Sequence, residues 1–211
     1  MKKLIDPYLI IILCILVLVP AALAQFKYDT LITTSTYKSY YSKEFKNPVV
    51  VTYTLYHGGG DSKREGMSFH NDVTNLHTAT NHDYEHMGYD KGHMANAEDF
   101  AYDEKLEEQT FRYYNCVPQA PGLNRGAWKS YETQIRKVSQ EDSLFVVCYN
   151  TFHINWMNNV GVPDKCYKFV YDIKTQKWIY AFCFTNQSIP TFTNLKDSMN
   201  NYSFIQSLRL K

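Results

Sequence analysis

The chain has 211 residues, with 22 Lys and Arg against 21 Asp and Glu, which gives a formal charge of +1. This length suits one domain or at most two small ones, and the 45% hydrophobic and 16% aromatic content excludes wholesale disorder. The near-zero charge argues against nucleic-acid binding through overall basicity, so any such binding needs a local basic patch.

The N-terminus has the pattern of a cleaved export signal. Lys2 and Lys3 precede the apolar run 9–19, and Ala22-Leu23-Ala24 fits the small-x-small cleavage rule. A retained anchor is the weaker alternative, because a bilayer span needs about 20 apolar residues. We therefore expect residues 1–24 to be a signal peptide and residues 25–211 to be the working domain. The protein would be exported, periplasmic or secreted, without stable membrane association after cleavage.

Signal cleavage would change both the charge and the cysteine count. Loss of Lys2, Lys3 and Asp6 leaves 20 basic and 20 acidic residues, and loss of Cys14 leaves four cysteines. An exported chain can form disulfides, and four cysteines allow three pairings. Three of the four also lie in apolar runs, which suit free buried thiols. The sequence leaves both states open for Cys116, Cys148, Cys166 and Cys183.

The first half of the chain predicts one strand, a long irregular segment and one short helix. Residues 49–56 are β-branched and aromatic, which is typical of a strand, and the Gly-rich stretch 57–61 ends it. Residues 71–92 are polar and show little periodicity, which predicts a long loop. Asp103 is placed to cap a helix that runs to about Thr110.

The second half predicts a helix and three strands. Apolar residues on one helical face predict a helix over 126–140. Residues 144–149, 166–173 and 178–184 predict strands, the last two joined as a hairpin. Strands on both sides of a helical middle indicate a single α+β domain, with helices flanking a central, mostly antiparallel sheet.

Chemically capable side chains concentrate between residues 82 and 136. A neutral histidine such as His93 can accept a proton near neutral pH. Amide and carboxylate oxygens, offered by Asn124 and Glu132, suit a hard cation such as Mg²⁺. Arg136 follows Glu132 by four residues and suits phosphate, although a solvated ion pair on a helix is the plainer interpretation of this spacing. Together these groups favour metal-assisted attack of water on a phosphodiester.

Two sequence blocks carry a family resemblance. Asp90-Lys91-Gly92-His93-Met94-Ala95 resembles the Asp-Arg-Gly-His signature of the DNA/RNA non-specific endonuclease family, which belongs to the ββα-metal nucleases. Asn115-x-x-Pro118-Gln119, Asn124-Arg125-Gly126-x-Trp128 and Glu132 resemble that family's next block, in the same order and at compatible spacing. The resemblance implies the ββα-metal nuclease fold and an enzyme that hydrolyses DNA and RNA to 5′-phosphate products.

The resemblance also implies a role for each motif residue. His93 would be the general base, and Asn124 would be the direct ligand of one divalent cation, usually Mg²⁺, with Mn²⁺ as a substitute. Glu132 would hold water bound to that cation, and Arg136 would contact phosphate and stabilise the developing charge. Asn115 would shape the site and its substrate contacts.

Four further positions are expected at the site. Asp90 would fix the strand-turn geometry and the His93 ring, and Gly92 would let the backbone turn closely. Arg64 is aligned loosely with a phosphate-binding arginine of the family. Lys91 would bind substrate, but it stands where Arg is usual and lacks the bidentate fork.

Asn96 is a second departure, because the family often has Pro there; it is expected to matter less. A homodimer is left open.

Two other functions compete with this interpretation. His82-x-x-Glu85-His86 matches a zinc-peptidase pattern, which requires both histidines on one helix. Asn81 and Gly88 make a helix there unfavourable. The other alternative is a nuclease-fold protein that only binds nucleic acid or a partner, which the complete set of motif residues disfavours.

Overall fold

The structure is a computed structural model that describes residues 26–153 and 155–209. The expected signal peptide, residues 1–24, lies outside the described residues. Within the described ranges, no helix is both long enough and apolar enough to cross a membrane.

A seven-stranded antiparallel sheet forms the centre of the fold. Its spatial order is β1-β2-β3-β6-β9-β10-β11, and every neighbouring pair runs antiparallel. The strands are β1 (Thr30–Thr33), β2 (Lys38–Ser42), β3 (Asn47–Leu55), β6 (Leu144–Thr151), β9 (Lys165–Asp172), β10 (Lys177–Thr185) and β11 (Phe192–Asn194). The predicted α+β fold with a mostly antiparallel sheet is confirmed.

Smaller elements connect these strands. Two short antiparallel pairs lie outside the main sheet: β4 (Asp90–His93) with β5 (Cys116–Gln119), and β7 (Trp156–Met157) with β8 (Val160–Gly161). The α-helices are α1 (Asn81–Tyr84), α2 (Glu104–Gln109), α3 (Lys129–Val138) and α4 (Ser203–Leu208). Short 3₁₀ turns occupy Ala97–Phe100, Tyr113–Asn115 and Lys196–Tyr202, and a π-helical turn occupies Leu123–Trp128.

Both faces of the sheet are covered. Side chains alternate along each strand, so Val51 packs into one apolar cluster and Val50 into the other. The first cluster includes Trp128 and Ile135, and therefore joins the sheet to α3 and the turn before it. The second includes Met199 and Ile205 of the C-terminal helical segment. The site elements consequently lie on one face and the C-terminus on the other.

Local sequence signals predicted several elements well. The strand expected at 49–56 is β3, and the predicted hairpin is β9–β10. Asp103 caps α2 through hydrogen bonds from the backbone N–H groups of Lys105 and Leu106. Trp128, from the apolar face that predicted the helix over 126–140, is buried in the core.

The helix expected at 126–140 begins later than predicted. Gly126 has φ −103° and ψ −105°, which are not helical angles, so the chain bends there and the regular helix α3 begins at Lys129. The irregular segment predicted at 71–92 contains one helical turn, α1, and gives way to β4 at Asp90.

The four cysteines in the part of the chain that the structure describes are buried and free, so the disulfides that the sequence left open among them do not form. Cys116 and Cys183 lie in two separate apolar clusters, away from the cluster that holds Cys148 and Cys166. Those two are on neighbouring strands but are not paired, since Cys148 faces Lys168 across the ladder. Burial raises the pKa of the Cys148 and Cys166 thiols to about 12, which keeps them protonated.

Candidate active site

A polar cavity of about 350 Å³ lies where the β4–β5 pair meets α3. Its walls include His93 at the end of β4, Asn96 before the 3₁₀ turn Ala97–Phe100, Asn124 from the π-helical turn, and Glu132 and Arg136 from α3. The structure thus brings together five of the sequence-predicted site residues, since Arg64 also lines the cavity, with Asn96 added.

His93 is held in an apolar box at the edge of this cavity. Its ring centroid lies 4.6 Å from that of Phe69 and 4.8 Å from that of Phe111. The Nε2 atom is buried and has no hydrogen-bond partner among the described residues. Burial, with a smaller effect from the nearby Arg64 charge, lowers the pKa of His93 to about 3. The ring is therefore neutral near pH 7, the form that can accept a proton.

Asp90 orients Asn124. Its Oδ2 atom accepts from Asn124 Nδ2 at 2.9 Å and from Arg125 Nε at 2.8 Å. Burial alone would raise the pKa of Asp90, but these hydrogen bonds and the Arg125 charge lower it overall. We expected this carboxylate to fix the His93 ring, whereas the hydrogen bonds direct it to Asn124. With Nδ2 engaged, the amide oxygen of Asn124 is the atom left for a cation.

Glu132 lies in a buried ion pair. Its Oε1 atom accepts from Lys168 Nζ at 3.0 Å, and its Oε2 atom accepts from Asn96 Nδ2. The side chains of Lys168 and Glu132 are only 1% and 6% exposed. The Lys168 ammonium also lies 4.5 Å from the ring centroid of Trp128. Glu132 is therefore fixed from two sides, while its carboxylate oxygens keep lone pairs for further donors.

Arg136 is fixed in the same way. Its Nε donates to Asp99 Oδ1 at 2.9 Å and its Nη2 donates to Asn96 Oδ1 at 3.1 Å. The hydroxyl of Tyr53 donates to the other oxygen of Asp99 at 2.9 Å. Burial raises the pKa of Asp99 to about 6, although the Arg136 charge acts in the opposite direction. The guanidinium remains part of the cavity wall.

Arg64 reaches the cavity and Lys91 does not. Arg64 lines the cavity wall and is held by Glu98 at 2.9 Å and by Glu107 at 2.8 Å. Lys91 instead donates to Asn81 Oδ1 in a neighbouring groove, where its Nζ lies 5.8 Å from the ring centroid of Phe69. Lys91 and His93 line different depressions, so a substrate contact of Lys91 would lie beside the cavity.

Asn115 is a structural residue, which corrects the expected substrate contact. It is fully buried, and its Oδ1 accepts from the Ala95 N–H at 2.9 Å. Its Nδ2 donates to the carbonyls of Ala95 at 2.9 Å and Thr110 at 2.8 Å. Because the amide is fully used by backbone groups, Asn115 shapes the site only by holding the chain that follows His93.

Gly92 is required by close packing within the β4–β5 pair. A Cβ atom at this position would lie 2.3 Å from Oε1 of the buried Gln119. Gly92 lies in the middle of β4 opposite Val117, so the expected reason, a close turn of the backbone, is replaced by a close approach of the neighbouring strand.

The helix required by the zinc-peptidase pattern does not form. Helix α1 ends at Tyr84, and His86 has φ +60°, outside the helical range. Within the described ranges there is no cluster of three or more His, Cys, Asp or Glu that could hold a metal ion. His82 simply contacts Glu85, with 3.2 Å between Nδ1 and Oε2.

The donor set of the cavity is compatible with Mg²⁺. This ion prefers oxygen ligands and commonly retains several waters, with one or two protein ligands and substrate phosphates completing its coordination. Asn124 offers an amide oxygen, and the Glu132 carboxylate lines the same wall. Such a cation site needs no cluster of carboxylates, because water and substrate supply most of the ligands.

Three contacts at the site were not predicted from the sequence. Lys168 was not singled out, although a lysine inside an otherwise apolar strand is itself a signal of a buried ion pair. Phe69 and Phe111 enclose His93 from distant segments, and no local pattern indicates this. Asn96 was noted only as a departure.

A short strand pair followed by a helix, with histidine, amide and acid around one cavity, is the arrangement of a ββα-metal nuclease. Comparison with solved structures supports this class. A chain in the crystal structure of the EndoG/EndoGI complex superposes with a TM-score of 0.69, covering 84% of this chain and 85% of that chain at 22% identity. This similarity establishes the shared fold.

Comparison with known sequences identifies the family. The profile of the DNA/RNA non-specific endonucleases matches residues 21–208. Mitochondrial endonuclease G of Bos taurus is 32% identical over 126 residues, covering 52% of this chain and 42% of that protein. Nuclease C1 of Cunninghamella echinulata var. echinulata is 32% identical over 145 residues, covering 59% of this chain and 56% of that protein. The chain belongs to the DNA/RNA non-specific endonuclease family, and it spans about half the length of these two relatives.

Proposed function

We propose that the protein is an exported, Mg²⁺-dependent endonuclease that hydrolyses phosphodiester bonds of DNA and RNA to 5′-phosphate products. The observation that carries this proposal is geometric: His93, whose buried Nε2 is unpartnered among the described residues, shares one cavity with Asn124, Glu132 and Arg136. Metal-assisted hydrolysis of a phosphodiester uses a general base, a ligand for the metal ion and a positively charged side chain that binds phosphate. Membership of the family supports the same reaction.

Each residue has a defined task in this proposal. His93 accepts the proton of the attacking water, and the Phe69–Phe111 box holds its ring in place. Asn124, oriented by Asp90, would bind the cation, and Glu132 would accept hydrogen bonds from water around it. Bound Mg²⁺ supplies Lewis-acid stabilisation of the charge on the phosphate and the leaving oxygen. Arg136 and Arg64 present guanidinium groups to the non-bridging phosphate oxygens.

Little base specificity is expected. The cationic side chains of the cavity suit phosphate, and contacts to phosphate carry no sequence code. None of the side chains described above is assigned a contact with the sugar 2′ position. We therefore propose both DNA and RNA as substrates.

A plasmid-nicking assay tests the proposal. Purified residues 25–211 should convert supercoiled plasmid to nicked and linear forms with Mg²⁺ or Mn²⁺, and should degrade RNA under the same conditions. EDTA should stop both reactions, and end-labelling should find 5′-phosphates on the products. If plasmid, linear DNA and RNA all remain intact with Mg²⁺ while a gel shift shows a complex, the binding-only alternative replaces the nuclease.

Export is proposed from the sequence of residues 1–24 and has its own test. The full chain, expressed in a host with a general secretion pathway, should appear outside the cytoplasm with Gln25 as its first residue, as read by intact-mass spectrometry. A cytoplasmic product that retains Met1 would contradict export without affecting the proposed chemistry.

A further inference from the structure

Asn96, which in the sequence is only a departure from the family pattern, lies in the middle of the site. It lies shortly after the end of β4 and caps the 3₁₀ turn Ala97–Phe100, where its Oδ1 accepts from the Glu98 N–H at 2.8 Å. Its backbone φ is −71°. The side chain also lines the active-site cavity, so this amide faces both the backbone and the reacting region.

The amide of Asn96 connects two functional side chains. Its Nδ2 donates to Glu132 Oε2, and its Oδ1 accepts from Arg136 Nη2 at 3.1 Å. On the far side of each, Lys168 holds the other carboxylate oxygen of Glu132, and Asp99 holds Nε of Arg136. The result is a continuous hydrogen-bonded row, Lys168–Glu132–Asn96–Arg136–Asp99, with Asn96 in the middle.

Only a side chain that both donates and accepts can fill this place. Glu132 is an acceptor and Arg136 is a donor, so the group between them must donate to one and accept from the other. A carboxylate could accept from Arg136, but it would set a like charge against Glu132. Proline, which the family often has at this position, offers no side-chain hydrogen bond.

We propose that Asn96 is a positioning residue that fixes the relative placement of Glu132 and Arg136, a role that rests on the proposed nuclease function. Both partners have long side chains with several rotamers, and ordering them before substrate arrives removes an entropic penalty from the reaction. The amide supplies this order through a direct side-chain connection between the two groups.

The test compares Asn96→Ala and Asn96→Pro with the wild-type protein. A φ of −71° lies within the range of proline, so the second variant removes the amide and keeps this backbone angle. Both variants lose hydrogen bonds to two charged groups. We therefore expect each to cleave plasmid with a kcat roughly ten- to a hundredfold lower. KM should change much less, because ground-state phosphate binding by Arg64 is untouched. Asn201→Ala, an exposed amide in the C-terminal 3₁₀ turn, serves as the matched control.

A double-mutant cycle separates positioning from a general structural effect. If Asn96 acts through its two neighbours, Asn96→Ala should have a several-fold smaller effect on kcat in a Glu132→Met background and in an Arg136→Met background. Wild-type kcat in both Asn96 variants would overturn the proposal. The proposal would also be overturned if Asn96→Ala lowered kcat by the same factor in both backgrounds as in the wild-type protein.

The same cycle read by urea unfolding does not depend on activity. The Asn96–Glu132 pair should show a coupling in the midpoint of unfolding, and a purely additive result would overturn the connection. If the wild type cleaves neither DNA nor RNA, the proposed function fails, while this unfolding cycle still decides whether the amide ties the two side chains together.

Discussion

Replacement of Lys168 by methionine tests the buried ion pair that anchors the site to the sheet. Methionine keeps an unbranched side chain of similar length against Trp128 and removes the charge. At the observed 3.0 Å separation, and with an effective dielectric constant of about 20, the Lys168–Glu132 attraction is about 5 kcal/mol. Desolvation of both groups offsets much of this in the intact pair, but loss of one partner leaves the other charge buried alone.

We therefore expect Lys168→Met to lower the free energy of unfolding by about 3–5 kcal/mol. This is a large part of the 5–15 kcal/mol that is typical of native domains. Urea denaturation followed by tryptophan fluorescence measures the change at pH 7. Lys165→Met, an exposed lysine on the same strand, is the control and should cost less than about 0.5 kcal/mol.

The double variant Lys168→Met with Glu132→Gln provides the decisive comparison. It removes both charges, so it should recover a substantial part of the stability lost by Lys168→Met alone. A single variant that costs less than about 1 kcal/mol would refute the buried-pair argument. A double variant no more stable than the single variant would refute it as well, because the loss would then come from packing.

Four further outcomes are expected. His93→Ala should reduce plasmid cleavage by about 10²–10⁴-fold, measured by nicking, while the fold and cation binding persist. Asn124→Ala should weaken the apparent Mg²⁺ affinity in a metal titration, and an unchanged titration would remove it as a ligand. Lys91→Arg should maintain or raise activity, and a large loss would show that Lys91 is adapted to its contact with Asn81. Finally, the pKa of His93 falls from 6.5 to about 3 on folding, so the folded state binds fewer protons between these values. The neutral ring should therefore make the free energy of unfolding fall as pH drops from about 6.5 towards 3. His93→Gln should remove this part of the pH dependence, as measured by urea denaturation at a series of acidic pH values.

The elements that the sequence predicted well are those whose signals are local. Asp103 caps α2 with its own side chain. The β9–β10 hairpin consists of two apolar strand segments joined by a short polar turn. The bend at Gly126 is different, because glycine permits unusual backbone angles without requiring them. Only the packing of Trp128 and the π-helical turn against the sheet fixes the angle found there.

The site divides in the same way. His93, Asn124 and Glu132 were assigned through the family resemblance of their motifs, and the structure brings them to one cavity. The contacts that set their properties come from far along the chain: Lys168 reaches Glu132 across 36 residues, and Phe69 encloses His93 across 24. Such pairs depend on which strand faces which helix, and no local periodicity encodes that.

Under the proposed function, the cavity also explains how a chain with almost no net charge could act on a polyanion. The local basic patch exists, but its arginines are paired: Arg125 with Asp90, Arg136 with Asp99, and Arg64 with Glu98 and Glu107. These acids orient the guanidinium groups and cancel their charge at long range. A phosphate must therefore be captured at contact distance, by guanidinium groups that are already in position, and not drawn in by a broad positive field. The near-zero net charge of the chain then favours weak, salt-sensitive substrate binding. The side chains of the cavity would contact one phosphate at a time.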